Sequence, residues 1–172
     1  MRLTTSTVLV CLLLVLAGPL AVSAIVLVDS RWMATQLNSA QWTLPAGANF
    51  TQGFIVQQSG TARFLNMRVG VWSPSTFSID ISFYTAAVPP TLLSTCSYSN
   101  LQFGSSSTAA TTIPLCPGLT LTAGQSITLV LSNPSSNLNF WAVPSVRSPS
   151  FVPGVVPGPN GGTTNMIFWI VQ

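Results

Sequence analysis

Large apolar residues occupy every second position in two stretches of the chain, residues 62–72 and 76–85. Because successive side chains of a strand point to opposite faces, this period predicts two strands, each with one face in a core. The predicted inward-facing residues are Leu65, Met67, Val69, Val71, Phe77, Ile79, Ile81 and Phe83. The predicted outward-facing residues include Asn66, Arg68, Asp80 and Tyr84.

Shorter apolar stretches, separated by Gly, Pro, Asn and Ser, predict further strands. They are residues 54–57, 92–98, 111–116, 126–132, 138–143 and 164–171, together with residues 25–33, which begin as a buried strand. Residues 144–162 are rich in Pro and Gly and are predicted to be a loop, because proline is rare in central strands. No stretch beyond the first residues has helical periodicity. About eight or nine short strands predict an all-β fold, a jelly-roll-like antiparallel β-sandwich.

The N-terminal residues have the features of a secretory signal. Arg2 supplies a positive charge, residues 8–17 are apolar, and small residues up to Ala24 suit cleavage. We predict a signal peptide at residues 1–24 and a secreted single β-sandwich domain at residues 25–172. The alternative is a retained membrane anchor over residues 8–28, a stretch long enough to span a bilayer.

The chain has no Lys, Glu or His, and its charges come from five Arg and two Asp. General acid–base catalysis and metal binding depend mostly on His, carboxylates, Lys and thiolates. The composition therefore predicts a protein that is not an enzyme, with no catalytic residue, metal site or cofactor. Asp29 and Asp80 are expected to be surface residues rather than a glycosidase pair. No cluster of basic residues suggests nucleic acid as a partner.

One cysteine pair and one sequence motif indicate covalent modification. Of the three cysteines, Cys96 and Cys116 lie outside the N-terminal apolar stretch, and an even number in a secreted chain predicts a disulfide. Asn49 begins an Asn-Phe-Thr sequon, so Asn49 is the predicted site of N-glycosylation. A chain rich in Ser, Thr and Pro is also compatible with O-linked glycans.

Three segments resemble a known kind of module. They are Gln-Gly-Phe-Ile-Val at 52–56 with Gly-Thr-Ala at 60–62, the strand at 77–84 followed by Pro-Thr-Leu-Leu-Ser at 90–94, and residues 119–131. This set resembles secreted jelly-roll β-sandwich modules of the carbohydrate-binding type. The resemblance implies a jelly-roll fold and a glycan partner. In composition, the chain is also similar to β-sandwich protomers of extracellular glycosylated fibrils.

Exposed aromatic side chains are the natural platform for sugar rings. Trp72 falls on the predicted outer face of its strand, and Tyr84 falls on the outer face of the next. With Trp141, they are the candidate glycan-stacking residues. The alternative for each is a position in the sandwich core.

The two ends of the predicted domain are continuously apolar rather than alternating. A strand that is apolar on both faces has to be covered on both faces. The residues concerned are Ile25, Val26, Leu27, Val28, Met166, Ile167, Phe168, Trp169, Ile170 and Val171. One interpretation is that these strands insert into a neighbouring subunit; the other is that they pair with each other inside one subunit.

The leading functional hypothesis is a secreted structural subunit that self-assembles into an extracellular fibril, sheath or coat. Its partners would be copies of itself and glycans, covalent or bound, with a membrane involved only if the N-terminal segment is retained. Low charge supports this hypothesis because it removes the lysines that usually keep strand edges apart. The alternative hypothesis is a monomeric carbohydrate-binding module that uses surface aromatics.

Overall fold

Antiparallel β-sheets make up most of the chain in a computed structural model, which describes residues 24–36, 39–69, 76–102, 110–144, 151–156 and 162–172. The predicted signal segment, apart from Ala24, and Trp72 lie outside these residues. The strands are β1 Val26–Asp29, β2 Ala40–Leu44, β3 Phe50–Ile55, β4 Gly60–Thr61, β5 Phe64–Arg68, β6 Thr76–Thr85, β7 Leu92–Gln102, β8 Ala110–Pro114, β9 Thr120–Leu121, β10 Ser126–Ser132, β11 Leu138–Pro144, β12 Phe151–Val156, β13 Gly162–Met166 and β14 Phe168–Val171. The one helix of the described residues, α1, spans Arg31–Gln36. The predicted all-β class is confirmed, and the antiparallel sheets are consistent with the predicted β-sandwich.

The strands form a smaller sheet in the order β1-β14-β5-β8 and a larger sheet in the order β2-β11-β13-β12-β3-β10-β6-β7. Strands β4 and β9 form a separate two-stranded ribbon. Four of the antiparallel pairs are nested along the chain: β1 with β14, β3 with β10, β5 with β8, and β6 with β7. The remaining strands of the larger sheet extend it beyond β3.

The core lies between the two sheets, where the ring of Phe54 on β3 meets the ring of Phe168 on β14 at 5.6 Å, edge to face. The inward-facing residues predicted from the alternation on β5 and β6 are buried wherever their side chains are described. They are Leu65, Met67, Val69, Ile79, Ile81 and Phe83. Alternation therefore predicted the core face of both strands correctly. Val71 and the side chain of Phe77 lie outside the described part.

Residues 25–33 begin as a strand, as predicted, but β1 ends at Asp29 and the helix α1, which the pattern did not predict, follows. The Asp29 carboxylate accepts a hydrogen bond from the backbone N–H of Arg31 at 2.9 Å, which turns the chain out of the strand. Met33, at the third helical position, is buried in the core. Strand β2 was not predicted, because its five residues contain too little alternation.

The prediction that residues 144–162 form a loop is also wrong in part. Strand β12, at Phe151–Val156, lies inside the larger sheet between β13 and β3. Its register with β3 shifts between Val152 and Val155, and Pro153 lies within that shift. A proline has no N–H to donate, and an irregularity in the ladder is where a strand tolerates one.

Buried polar side chains form hydrogen bonds between β13 and β14, where the chain passes from the larger sheet to the smaller one. Gln52 of β3 accepts a hydrogen bond from the backbone N–H of Met166 at 3.0 Å and donates one to Asn165 at 3.1 Å. The Ser30 hydroxyl accepts one from the N–H of Phe168 at 2.7 Å. These bonds replace strand-to-strand pairing at the crossing, so the backbone groups there are satisfied.

Among the residues described, no helix is long and apolar enough to cross a membrane.

Candidate functional site

The structure does not bring the candidate glycan-stacking residues together. Tyr84 lies on the outer face of β6, as predicted, and is half-buried. Trp141 belongs to β11, five strand spacings away across the larger sheet, which is roughly 24 Å at about 4.8 Å per strand. Trp141 is itself half-buried, and its indole nitrogen is buried without an acceptor among the described residues. A continuous row of these two aromatics is therefore not formed.

Two other tryptophans are also unsuited to a flat sugar platform. The guanidinium carbon of Arg31 lies 4.6 Å from the centroid of the Trp169 ring, so one face of this ring is covered. Trp42 packs partly against the core, and its indole nitrogen is buried. Trp32, which is 39% exposed, lies on the short helix α1.

The two apolar ends pair with each other within the subunit. Strand β1 is antiparallel to β14, with Val26 opposite Val171 and Asp29 opposite Trp169. Leu27, Val28 and the residues from Met166 to Phe168 are buried, as is Ile170. Of the two interpretations of the apolar ends, the structure matches the one in which they complete their own sheet. Exchange of these strands between subunits stays an untested prediction.

The two carboxylates have separate roles in surface hydrogen bonding. Asp29 forms an ion pair with Arg31, with 2.6 Å between Oδ2 and Nη2. Burial raises the pKa of Asp29, but the hydrogen bonds and charge of Arg31 outweigh it, so the pKa lies below its ordinary value. Hydrogen bonds from Ser97 and Asn133 lower the pKa of Asp80. No group of three or more metal-ligating residue types occurs within the described ranges.

The predicted disulfide between Cys96 and Cys116 is present, with 5.6 Å between the two Cα atoms. It connects β7, at the end of the larger sheet, to the segment that follows β8 of the smaller sheet. The Tyr98 hydroxyl also donates a hydrogen bond to the Pro114 carbonyl oxygen. The two sheets are therefore fastened together along one side, which is compatible with an extracellular location.

Strand β7 is the longest strand that lies at the end of a sheet, with eleven residues. Its sequence, LLSTCSYSNLQ, contains no charged residue and no proline. In the part of the chain that the structure describes, only β6 pairs with it. The Cys116 sulfur approaches the Thr95 carbonyl oxygen at 3.5 Å, so the disulfide lies against the strand near Thr95.

The other end strands carry features that usually prevent edge-to-edge pairing. Strand β1 has four residues, and the side chain of Gln57 bonds both the N–H and the carbonyl of Asp29. The Leu27 carbonyl accepts bonds from the N–H groups of Gln57 and Gln58. Strands β2 and β8 have five residues each, and β8 ends in Pro114. Strand β7 has an irregular register with β6 at two points, but it is long and contains neither a charged residue nor a proline.

An open groove of about 470 Å³ lies on the outer face of the larger sheet beside Tyr84. Its floor consists of Tyr84, Thr85, Thr128 and Val130. Its wall is the β6–β7 loop, which contains a cis peptide bond before Pro89 and whose tip, Val88, is 98% exposed. Sequence analysis missed this groove, although the apolar run Ala-Ala-Val-Pro-Pro between two strands was a usable signal.

Asn49 is exposed and directly precedes β3. Thr51 of the same sequon is exposed on the strand, while Phe50 between them is buried in the core. Both residues that a glycosylating enzyme reads therefore lie at the surface.

Comparisons of the chain with protein-family models, with curated proteins and with solved structures find no match. A function for this chain therefore has to follow from its own residues and geometry.

Proposed function

We propose that the protein is a secreted, non-enzymatic structural subunit that self-assembles into an extracellular fibril, sheath or coat, with β7 as its contact edge. The observation that carries the proposal is this uncharged, eleven-residue strand at the end of the larger sheet. An edge strand presents a row of N–H and C=O groups that pairs readily with another strand. Two copies of β7 in antiparallel pairing extend one continuous sheet across both subunits.

The charge distribution supports assembly. The sequence has no charged residue between Asp80 and Arg147, a stretch that includes all of β7. Like copies therefore approach at this edge without repulsion between like charges. Protein edges usually rely on lysine to prevent such contact, and this chain has none.

The nested order of strand pairs favours a sandwich of jelly-roll type. In such a fold a long antiparallel hairpin is rolled up, so that early strands pair with late ones in two sheets. The pairs β1 with β14, β3 with β10, β5 with β8 and β6 with β7 follow this pattern. Jelly-roll domains serve as coat subunits and as lectins, so the fold is compatible with the proposal.

A non-catalytic role is supported by the residue types available. Without His, Lys or Glu, a nucleophilic Ser or Cys has no ordinary side-chain base beside it. Each of the two Asp carboxylates is engaged by neighbouring side chains: Asp29 by Arg31, and Asp80 by Ser97 and Asn133.

Substitution of an exposed residue on β7 tests the proposal. Ser99 is exposed, and Ser99→Lys places a charge on the contact edge. Thr122→Lys, at an exposed position outside β7, is the matched control. Sedimentation velocity over a range of concentrations, with negative-stain microscopy, should show wild-type and T122K assemblies larger than those of S99K. A wild-type protein that stays monomeric at every concentration, or an S99K variant that assembles normally, would overturn the proposal.

A further inference from the structure

We infer that the outer face of the smaller sheet binds an acidic polysaccharide, a sugar chain that carries carboxylate groups. This site goes beyond the proposed function, since it is separate from the β7 edge and does not require self-assembly. We call it the β5 strip, defined by Phe64, Asn66 and Arg68 of β5 with Thr112 and Pro114 of β8.

The strand register aligns two rows of residues across this face, with one residue from each of the four strands in each row. The first row is apolar and the second is mostly polar. The rows are Val26, Val171, Phe64 and Pro114, and Asp29, Trp169, Asn66 and Thr112. Leu65 and Ile113, which lie between the rows in sequence, are buried in the core, so both rows lie on the outer face. Each row is about 14 Å long, at about 4.8 Å per strand.

The apolar row is open to solvent on β5 and β8. Phe64 is 38% exposed, and Pro114, directly opposite it, is exposed as well. An exposed aromatic ring suits the C–H face of a sugar ring. The ring of Trp169 is covered by Arg31 on one face, so Phe64 is the stacking residue of the β5 strip.

Asn66 has a hydrogen-bond donor to spare. Its side chain is only 7% exposed, and its amide oxygen accepts a hydrogen bond from the Thr112 hydroxyl at 2.6 Å. Within the described part of the chain, its amide nitrogen has no acceptor. Largely buried polar groups usually have partners, because leaving one unpaired costs about 1–3 kcal/mol. Since Asn66 lies on the outer face, a ligand on the β5 strip can supply the missing acceptor.

Positive charge is concentrated on this side of the molecule. All three arginines within the described ranges, Arg31, Arg63 and Arg68, lie on the smaller sheet or directly beside it. Asp29 pairs with Arg31, and no carboxylate of the described residues pairs with Arg63 or Arg68. Arg68 follows Asn66 by two residues on the same face of β5 and is half-buried. A guanidinium group binds a carboxylate through two parallel hydrogen bonds.

The order of these groups along β5 favours an acidic sugar over other occupants. Phe64, Asn66 and Arg68 follow one another at about 7 Å intervals on one face, and they suit the C–H face, the hydroxyls and the carboxylate of a sugar acid in that order. A neutral glycan would leave the arginines without counter-charge. A second copy would bring only Asp80 as a carboxylate outside its own ion pair. A lipid surface would make no use of the amide held in place by Thr112.

Binding to polygalacturonate, with its methyl ester as the neutral counterpart, tests the inference by isothermal titration calorimetry. We expect the wild-type protein to bind the acid but not the ester, and to lose affinity as salt rises. Arg68→Gln and Phe64→Ser should each weaken binding about tenfold. Thr122→Asp lowers the net charge by the same unit outside the β5 strip, and Val88→Ser changes an exposed apolar residue elsewhere. Both control variants should bind like the wild type.

Three results would contradict the inference: no binding of the acid, equal binding of the acid and its ester, or wild-type affinity in a folded R68Q variant. Binding to phosphatidylserine vesicles without binding to polygalacturonate would show that the occupant is a lipid. If R68Q or F64S does not fold, the comparison of acid with ester on the wild-type protein still decides. Sedimentation velocity on the same samples separates this test from the proposed function. A monomer that binds the acid contradicts only assembly, and an assembly that does not bind it contradicts only the β5 strip.

Discussion

The guanidinium group of Arg31 lies over the ring of Trp169, with 4.6 Å between the guanidinium carbon and the ring centroid. The same group donates to both carboxylate oxygens of Asp29, whose strand position is directly opposite Trp169. Arg31 therefore links the end strand β1 to its neighbour β14 on the outer face of the smaller sheet. A cation over an aromatic face contributes about 0.5–1 kcal/mol at exposed sites.

Asp29→Asn should lower stability in a manner that depends on pH. The pKa of Asp29 is below its ordinary value of 3.8 when folded, so the charged form is favoured in the native state. The stabilisation is present above pH 3.8 and is lost as the pH falls through the lowered folded-state pKa. Because both side chains are partly exposed, we expect a loss below about 1 kcal/mol in urea unfolding at neutral pH.

Asp80→Asn is the comparison for this prediction. Asp80 is held by the neutral side chains of Ser97 and Asn133 rather than by a cation. High salt should therefore reduce the effect of D29N and leave that of D80N nearly unchanged. Equal salt sensitivity of the two variants would contradict the assigned role of Arg31.

Gln52→Leu should destabilise the protein by about 2–4 kcal/mol. The substitution leaves the Met166 N–H without the acceptor that Gln52 provides and takes a donor from Asn165, and a buried polar group without a partner costs about 1–3 kcal/mol. Gln58→Leu, at an exposed position, is the control and should change little. Urea unfolding followed by tryptophan fluorescence measures the difference, and equal midpoints for the two variants would refute the bridging role.

Reduction of the Cys96–Cys116 disulfide should lower the free energy of unfolding by about 3 kcal/mol. The cysteines are separated by 20 residues, and closing a loop of that size restricts the unfolded chain by about this amount. The C96A/C116A double variant should match the reduced protein and be insensitive to reductant. If reductant lowers the urea midpoint of the double variant as well, the effect has another origin.

Asn49 should carry an N-linked glycan when the full chain is expressed in a eukaryotic secretory host. Asn49 and Thr51 are both exposed, so the sequon is accessible. Intact mass should fall after amidase treatment that removes N-glycans, and Asn49→Gln should abolish this change. Thr122→Ser, a hydroxyl substitution outside the sequon, should retain it. A wild-type mass equal to that of the bare polypeptide would contradict the prediction.

The hydrophobic pattern predicted which face of a strand points to the core better than it predicted which strands lie beside it. Alternation located the core side of β5 and β6, because a two-residue period directly reports which side chains leave water. It placed Asn66 on the outer face, yet Asn66 is only 7% exposed, since β14 and β8 flank it and the Thr112 hydroxyl bonds its side chain. Burial on an outer face depends on neighbouring strands, which a single strand's sequence does not specify.

The same dependence on neighbouring strands explains why the candidate glycan-stacking residues do not lie together. Tyr84 was correctly placed on the outer face of β6, but its distance from Trp141 depends on the strand order. The four strands between them come from distant parts of the chain. The low number of charged residues, by contrast, is read directly from the composition and needs no knowledge of topology. The length of β7 and its place at the end of the sheet required the structure.

The nested strand order has a consequence for biosynthesis. Strand β14, the last of the described strands, lies inside the smaller sheet between β1 and β5. The ribosome synthesises β1 and β5 long before β14, the strand with which both of them pair. Pairings between strands so far apart in the sequence form slowly. The nascent chain therefore cannot close its smaller sheet until translation has passed Val171. The domain therefore completes its fold late in synthesis. Loss of β14 would separate β1 from β5, whereas loss of an end strand would leave the other strands paired.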